Sequence, residues 1–252
     1  MRVVLSIAGS DSSGGAGIQA DIKSGFYHKV FMTTALSAVT VQNTLGVSNV
    51  VVLEPKFVVE QIKAVLEDFK VDCIKIGMLS SKELILEVFN TIKNLNIPII
   101  LDPVAISRAG SKLLDDEAIS TLKSMFKEAL LVTPNSLEAK LFFDVTSIPD
   151  IKNLKDIPTN IIFKNIVQNN ETTTDVLLTK EGNTELFIGP KADISNTHGT
   201  GCSFSASIAS LIARDFSLKD SIDLSKKYIY EAVKNAPNFG TGNGPINHIL
   251  DF

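Results

Sequence analysis

The 252-residue chain has no tryptophan, two cysteines and three histidines. Cys73 and Cys202 stand far apart with no C-x-x-C spacing, which argues against a zinc site or a disulfide framework and fits a reducing compartment. Charge is close to balanced, with 24 basic against 28 acidic side chains, and the basic residues are scattered. That excludes the electrostatic footprint of a nucleic-acid-binding protein, and the missing tryptophan removes one stacking platform. No apolar run reaches the ~18 residues of a membrane helix. The first run, Val3 to Ala8, is too short for a signal-peptide core and no cleavage pattern follows it. A soluble, cytoplasmic protein is expected. Several motifs are missing as well. There is no G-x-x-x-x-G-K-[ST], no G-x-G-x-x-G behind a strand, no G-x-S-x-G and no H-E-x-x-H, so P-loop, dinucleotide, serine-hydrolase and zincin chemistries have no support.

What is present is a mean hydropathy of +0.21 and a 44% hydrophobic composition, enough for a full core. Short β-branched runs alternate with stretches of helical period, the pattern of parallel βαβ construction. Strands are expected at Val3–Ala8, Thr34–Val41, Val47–Leu53, Cys73–Ile76, Ile97–Leu101, Leu130–Val132, Ile161–Phe163, Asp175–Leu178 and Glu185–Ile188. Helices are expected at Ala16–His28, Lys56–Phe69, Lys82–Leu95, Asp116–Phe126, Leu137–Phe143, Thr200–Ala213 and Leu218–Lys234. Pro55, Asp115 and Ser217 supply helix-start chemistry. The run Ile97-Pro98-Ile99-Ile100-Leu101-Asp102 reads as a central strand with an acid at its carboxyl end. Residues 144–170 carry no trustworthy period. With no repeat and no linker, a single α/β domain over 1–252 is expected.

Two segments carry chemistry. In Thr197-His198-Gly199-Thr200-Gly201-Cys202-Ser203, two glycines flank Thr200 ahead of a small-residue helix. Such a turn aims backbone N–H groups at one point, and the helix N-terminus adds positive partial charge, which suits a transferring phosphoryl group. Cys202 falls in the first turn, where the dipole is expected to favour thiolate. The bland alternative is a glycine-rich cap with an inert thiol. The second segment, 8–21, feeds the first strand through a loop of small residues into a helix bearing Gln19 and Asp21. It reads either as a ligand-hugging loop or as a flexible turn. A Cys-His hydrolase pairing Cys202 with His28, His198 or His248 is a third possibility.

Six motifs occur in order: AGSDSSGGAGIQAD at 8–21, VQNTLGV at 41–47, KIGML at 75–79, LDPV at 101–104, VTPNSLEA at 132–139 and NTHGTGCSFSA at 196–206. Together they resemble the hydroxymethylpyrimidine/phosphomethylpyrimidine kinases of thiamin biosynthesis, in the ribokinase-like superfamily, over nearly the whole chain. The resemblance implies a ribokinase-like three-layer α/β/α sandwich with a mostly parallel sheet. It implies ATP-dependent, Mg²⁺-assisted phosphorylation of 4-amino-5-hydroxymethyl-2-methylpyrimidine, and of its monophosphate to the diphosphate, by a homodimer. By position, Gln42 would bond the pyrimidine edge, Asp21 and Met78 would line its pocket, and Gly9 and Asp11 would form its first loop. Cys202 would be the base, and Gly199, Thr200 and Gly201 the anion hole. Asp102 and Glu138 would organise the metal and its waters, with Asn135 and Lys164 on the nucleotide side. Met78 rests on the resemblance alone, since a Met after a strand is more often core.

The pattern breaks in two places. Lys164 is followed by Asn165-Ile166-Val167 where such kinases usually show Gly-Gly-His, so a close backbone approach to phosphate is not expected there. LDPV continues Ala105-Ile106-Ser107-Arg108-Ala109-Gly110, and Ala105 is expected to leave a smaller wall near the substrate. A pyridoxal kinase and a non-catalytic pyrimidine-binding relative therefore stand as alternatives.

Overall fold

The computed structural model describes residues 1–106 and 114–250. The apolar runs become strands β1 (Val3–Asp11), β2 (Phe31–Asn43), β3 (Gly46–Val52), β4 (Cys73–Ile76), β5 (Ile99–Leu101), β6 (Leu131–Val132), β7 (Asn160–Gln168), β8 (Thr172–Leu178) and β9 (Thr184–Pro190). They form a nine-stranded sheet in the order β3-β2-β1-β4-β5-β6-β7-β8-β9. From β2 through β7 all neighbours are parallel, whereas β3 at one edge and β8 and β9 at the other join antiparallel.

Alternation along the strands sorts side chains between two faces. Leu5, Ile7, Ile74, Ile76, Leu101 and Val132 point to one side. There they meet Ile62 of α2 (Pro55–Asp68), Leu84 and Val88 of α3 (Lys82–Ile92) and Leu122 of α4 (Asp116–Ser124). Val4, Cys73, Ile100, Leu131 and Ile162 point to the other, against Phe204 and Ile208 of α7 (Thr200–Ala213) and Ile222 of α8 (Leu218–Lys234). Helix α1 (Gly17–Tyr27) packs beside α7. The result is the expected three-layer sandwich.

Helix starts follow the expected chemistry. Ser81, Asp115 and Ser217 each accept a backbone N–H at the heads of α3, α4 and α8, and Pro55 opens α2. Helix α5 (Ser136–Phe143) begins with a capping box between Asn135 and Glu138. The stretch without a readable period contains one short helix, α6 (Ile148–Lys152), capped by Ser147. Beyond Phe163, β7 runs on to Gln168, a mostly exposed extension paired with β8. The parallel strands all end along one rim, which carries Asp11, Gly77, Asp102, Thr133 and Lys164 towards the head of α7. Among the described residues no helix is long and apolar enough to cross a membrane.

Under the opposite end of α7 lies a polar cluster. His28 Nε2 is 2.6 Å from Ser207 Oγ, which is 2.7 Å from Ser225 Oγ. The ring of Tyr228 stacks on Tyr27 and its hydroxyl lies 2.7 Å from His248 Nδ1. Burial pushes the pKa of His28 down to about 4. As pH falls below the ordinary value of ~6.5, the unfolded chain binds a proton that the folded chain refuses until about pH 4. Stability from His28 is thus present above 6.5 and lost progressively below it, by up to about 3 kcal/mol at pH 4. Urea unfolding of the wild type and His28→Asn at pH 7 and pH 5 should show the variant less stable at pH 7 but losing less on acidification. Parallel losses would refute the buried-neutral assignment, since groups titrating elsewhere cancel in the difference.

Candidate active site

The loop after β1 is organised by Asp11. Its carboxylate accepts Ser13 N–H and Oγ–H (2.8 and 2.7 Å), Gly15 N–H (3.1 Å), Ala16 N–H (2.8 Å) and His198 Nε2–H (2.7 Å). Burial alone would raise its pKa, but the bonds from His198, Ser13 and Ala16 outweigh that and hold the carboxyl well below the usual range. Asp11 therefore shapes the loop and ties it to the His198 segment, and its oxygens are occupied. The same junction explains Gly199. Its φ of 87° lies in the left-handed region, and a Cβ there would collide with the Gly15 carbonyl oxygen. Gly199 then starts α7 with no side-chain cap, and the first intrahelical bond runs from Ser203 N to Gly199 O (2.9 Å). The N–H groups of Gly201 and Cys202 precede that bond, as an anion hole requires.

Beneath this helix head sits Lys75, the first residue of the KIGML motif, to which the sequence assigned no role. In β4 every residue is buried, so a lysine flanked by Ile74 and Ile76 must find a counter-charge inside. It finds Asp21 of α1, with Nζ 2.8 Å from Oδ2 and both side chains 0% exposed. Ser6 Oγ donates to the same oxygen at 2.6 Å. The expectation that Asp21 lines the substrate pocket is thereby corrected, because its carboxylate is a buried partner of Lys75. The expectation of a thiolate at Cys202 is corrected too. Burial pushes that thiol up to about 11, although Lys75 and a Gly17 N–H favour the ionised form. Desolvation outweighs the helix terminus here.

On the other side of the rim, Asp102 Oδ1 accepts from Lys164 Nζ and Thr133 Oγ1, both at 2.9 Å. Burial opposes ionisation, but Lys164 and Lys75 hold the Asp102 carboxyl below its usual range. Its Oδ2 has only Ser205 Oγ at 3.5 Å and faces the Gly201 backbone. Glu138 is 2% exposed, not a solvated helix residue. Its Oε2 accepts Asn135 N–H at 2.9 Å, and burial lifts its pKa to about 7. Asn135 Oδ1 is occupied by the α5 cap, leaving its amide N–H groups for other partners. Lys164 thus pairs with Asp102, and its charge also favours ionisation of Glu138.

Three further positions fall as follows. A Cβ on Gly9 would come 2.9 Å from the Met78 terminal methyl, so half-buried Met78 does lie over the first loop. Ala105 packs into the core under α3 and α4, which overturns its expected place in a substrate wall. Arg108 and Gly110 lie outside the described residues. Asn165, where glycine was expected, adopts φ 53°, a conformation asparagine tolerates better than most side chains, and its N–H donates to Asp175 Oδ1 at 2.7 Å.

The phosphomethylpyrimidine kinase family model matches residues 11–247. The chain belongs to this family. It is 38% identical over 255 residues to the hydroxymethylpyrimidine/phosphomethylpyrimidine kinase of Bacillus subtilis, covering 97% of this chain and 93% of that one. It is 37% identical to a thiamine biosynthesis bifunctional protein of Geobacter sulfurreducens, 98% of this chain spanning about half (52%) of that protein. Among solved structures, the phosphomethylpyrimidine kinase of Clostridium difficile is similar with a TM-score of 0.80 at 34% identity, covering 93% of this chain and all of that one. An ADP complex of Bacillus subtilis pyridoxal kinase is similar with a TM-score of 0.89 at 28% identity, covering 98% and 97%. The sandwich is accordingly the ribokinase-like fold.

Within this phosphomethylpyrimidine kinase family member, a Cys202 thiol at about 11 makes a direct forecast. Alkylation of Cys202 by iodoacetamide, mapped by mass spectrometry, should be slow at pH 7 and accelerate about tenfold per unit between pH 8 and 10. Lys75→Met should slow it further. Fast labelling that is flat above pH 7 would mean a stabilised thiolate and would refute the assignment.

Proposed function

We propose that the chain transfers the γ-phosphoryl group of ATP to the hydroxymethyl oxygen of 4-amino-5-hydroxymethyl-2-methylpyrimidine, and then phosphorylates the monophosphate to the diphosphate. The observation that carries this reading is the meeting, at one rim, of an uncapped helix head, a thiol and two carboxylate–lysine pairs. Phosphoryl transfer needs positioning, charge neutralisation and one proton acceptor, and each is represented there. Gln42 and Met78 would bind the ring above the Gly9 loop. Gly199, Thr200 and Gly201 would receive the developing charge, and Cys202, a neutral thiol at rest, would take the hydroxyl proton in the thiolate form that Lys75 favours. Asn135 and Lys164 would face the nucleotide.

The donor set fits a magnesium ion. Asp21, Asp102 and Glu138 supply three buried carboxyls against the two ammoniums of Lys75 and Lys164, so the protein alone offers no positive excess to a polyphosphate. Asp102 Oδ2 and Glu138 are hard oxygen donors, and Mg²⁺ needs only one or two of them while keeping several waters. When bound, the ion would neutralise phosphate charge.

A homodimer in the cytoplasm completes the proposal. The edge hairpin β2–β3 exposes Val39, Val41, Leu45, Val47, Val50, Val51 and Val52, an apolar strip of the kind that pairs with a second copy. Pyridoxal phosphorylation is the second reading, favoured by the higher TM-score of the pyridoxal kinase structure. Asn165 in the glycine-type conformation argues against a non-catalytic relative.

ADP release should be measured with Mg-ATP and the hydroxymethylpyrimidine, its monophosphate or pyridoxal in parallel. Turnover on the first two is the expected result, and pyridoxal as the clearly better substrate would move the protein to the second reading. Cys202→Ala should lose about 10²–10⁴-fold in kcat, the usual weight of a general base. Near-wild-type turnover would remove the cysteine from the mechanism.

A further inference from the structure

Gln42 is held in place by its backbone and at both ends of its amide. Ser12 Oγ donates to Gln42 O and accepts from Gln42 N, each at 2.8 Å, which sets the direction of the side chain. The atom at one end of the amide, placed as nitrogen, lies 3.3 Å from His198 Nε2, and the other, placed as oxygen, lies 3.1 Å from Thr40 Oγ1. Which end is oxygen is decided by what those neighbours can offer.

His198 Nε2 also lies 2.7 Å from Asp11 Oδ2. That carboxylate is ionised and accepts four other hydrogen bonds, and an ionised carboxylate has no hydrogen to give. His198 Nε2 therefore carries the hydrogen and has no lone pair left for an amide N–H. Thr40 can complete the same arrangement. Its hydroxyl has a single hydrogen and two neighbours, the Ser10 carbonyl at 3.0 Å and the Gln42 amide at 3.1 Å, so with that hydrogen on Ser10 a lone pair is left to accept from Gln42. The His198 count puts the amide oxygen beside His198 and so the nitrogen beside Thr40. The opposite sense would face N–H against N–H at the His198 end.

We propose that His198 and Thr40 are positioning residues that fix the sense of the Gln42 amide, so that the cleft meets a ring edge with an acceptor on the anion-hole side and a donor away from it. This rests on the reading of the cleft as an aminopyrimidine site and deepens it. On the proposed substrate, the exocyclic amine is the ring neighbour of the hydroxymethyl group, and the unprotonated ring nitrogen comes next. With its oxygen beside His198, which directly precedes Gly199, Gln42 accepts from the amine and donates to the ring nitrogen. That order turns the hydroxymethyl group towards Cys202. Pyridoxal carries a carbonyl oxygen beside its hydroxymethyl carbon, which sets acceptor against acceptor. The fixed amide thus selects the aminopyrimidine.

Two measurements test this. In long-range ¹H–¹⁵N spectra above pH 8, without ligand, the His198 signals (assigned by their loss in His198→Ala) should show a protonated Nε2 and a bare Nδ1. A protonated Nδ1 with bare Nε2 would overturn the proposal. In calorimetric titrations, Thr40→Val should weaken the aminopyrimidine about tenfold, the weight of one misplaced hydrogen bond, with pyridoxal unchanged or tighter. Equal weakening of both ligands would show a merely structural residue and also overturn it. If the wild type bound neither compound, the substrate reading would fall, and with it the selectivity, while the tautomer would still decide the sense of the amide.

Discussion

A lysine cut off from water must keep a carboxylate beside it, and the Lys75–Asp21 pair is the constraint around which this cleft is assembled. The pair joins β4 to α1, and Ser6 of β1 bonds the same carboxylate oxygen. Breaking such a pair from one side costs about 3–5 kcal/mol, because the remaining charge is left without solvent or partner. Gly77 belongs to the same constraint, since a Cβ there would come 2.9 Å from Lys75 Nζ and 3.0 Å from the Ala8 side chain. Two strands, β1 and β4, and helix α1 are thus held in register below the point where α7 begins. The ammonium also acts upward, as the strongest influence favouring ionisation of Cys202. Stability and chemistry share one interaction here, so the pair cannot be replaced by apolar packing without changing the thiol above it.

The rim is built by a second economy of charge. Asp11 gives all its acceptor capacity to the loop and to His198, while Asp102 keeps one oxygen nearly unpartnered. A saturated carboxylate stiffens its surroundings, whereas an unsaturated one at the mouth of a cleft is available to a ligand. The contrast separates the two acids, although both stand at the carboxyl ends of central strands. It also explains why the Gly199 turn is so tight, because the His198–Asp11 contact draws that segment onto Gly15.

Much of this was legible in the sequence. Helices Thr200–Ala213 and Leu218–Lys234 have the expected bounds because local chemistry marks their starts, a glycine turn in one case and a serine cap in the other. The central strands were readable as apolar runs, being buried on both faces. The extension of β7 to Gln168 was not, since the polar Lys164-Asn165 breaks the apolar run before Ile166-Val167 and the segment is mostly exposed. Asp21 was assigned to the ligand because it shares a motif with the first loop, yet helical geometry turns it inward to a lysine in a strand 54 positions later. The raised Cys202 thiol was illegible for the same kind of reason. Position at a helix head is local information, and desolvation is not.

The loss of glycine after Lys164 shows how a motif can break while its geometry survives. Asn165 takes the left-handed backbone that glycine would take, and the Asp175 carboxylate, itself paired with Lys226, holds its N–H. The turn is therefore enforced by a neighbouring strand and a helix instead of by intrinsic freedom. A glycine there would relieve the residual left-handed strain but lose more entropy on folding, so the exchange is cheap wherever the partner strand supplies an acceptor. The same reasoning limits what fold similarity can say about substrate. Pyridoxal and pyrimidine kinases present this chain with closely similar scaffolds, at TM-scores of 0.89 and 0.80. A scaffold positions backbone, and similar backbones do not by themselves distinguish one ring from another. Recognition of a ring would then fall to side-chain donors and acceptors, of which the proposed Gln42 amide is one, and the sense of an amide is set by its neighbours and not by the fold.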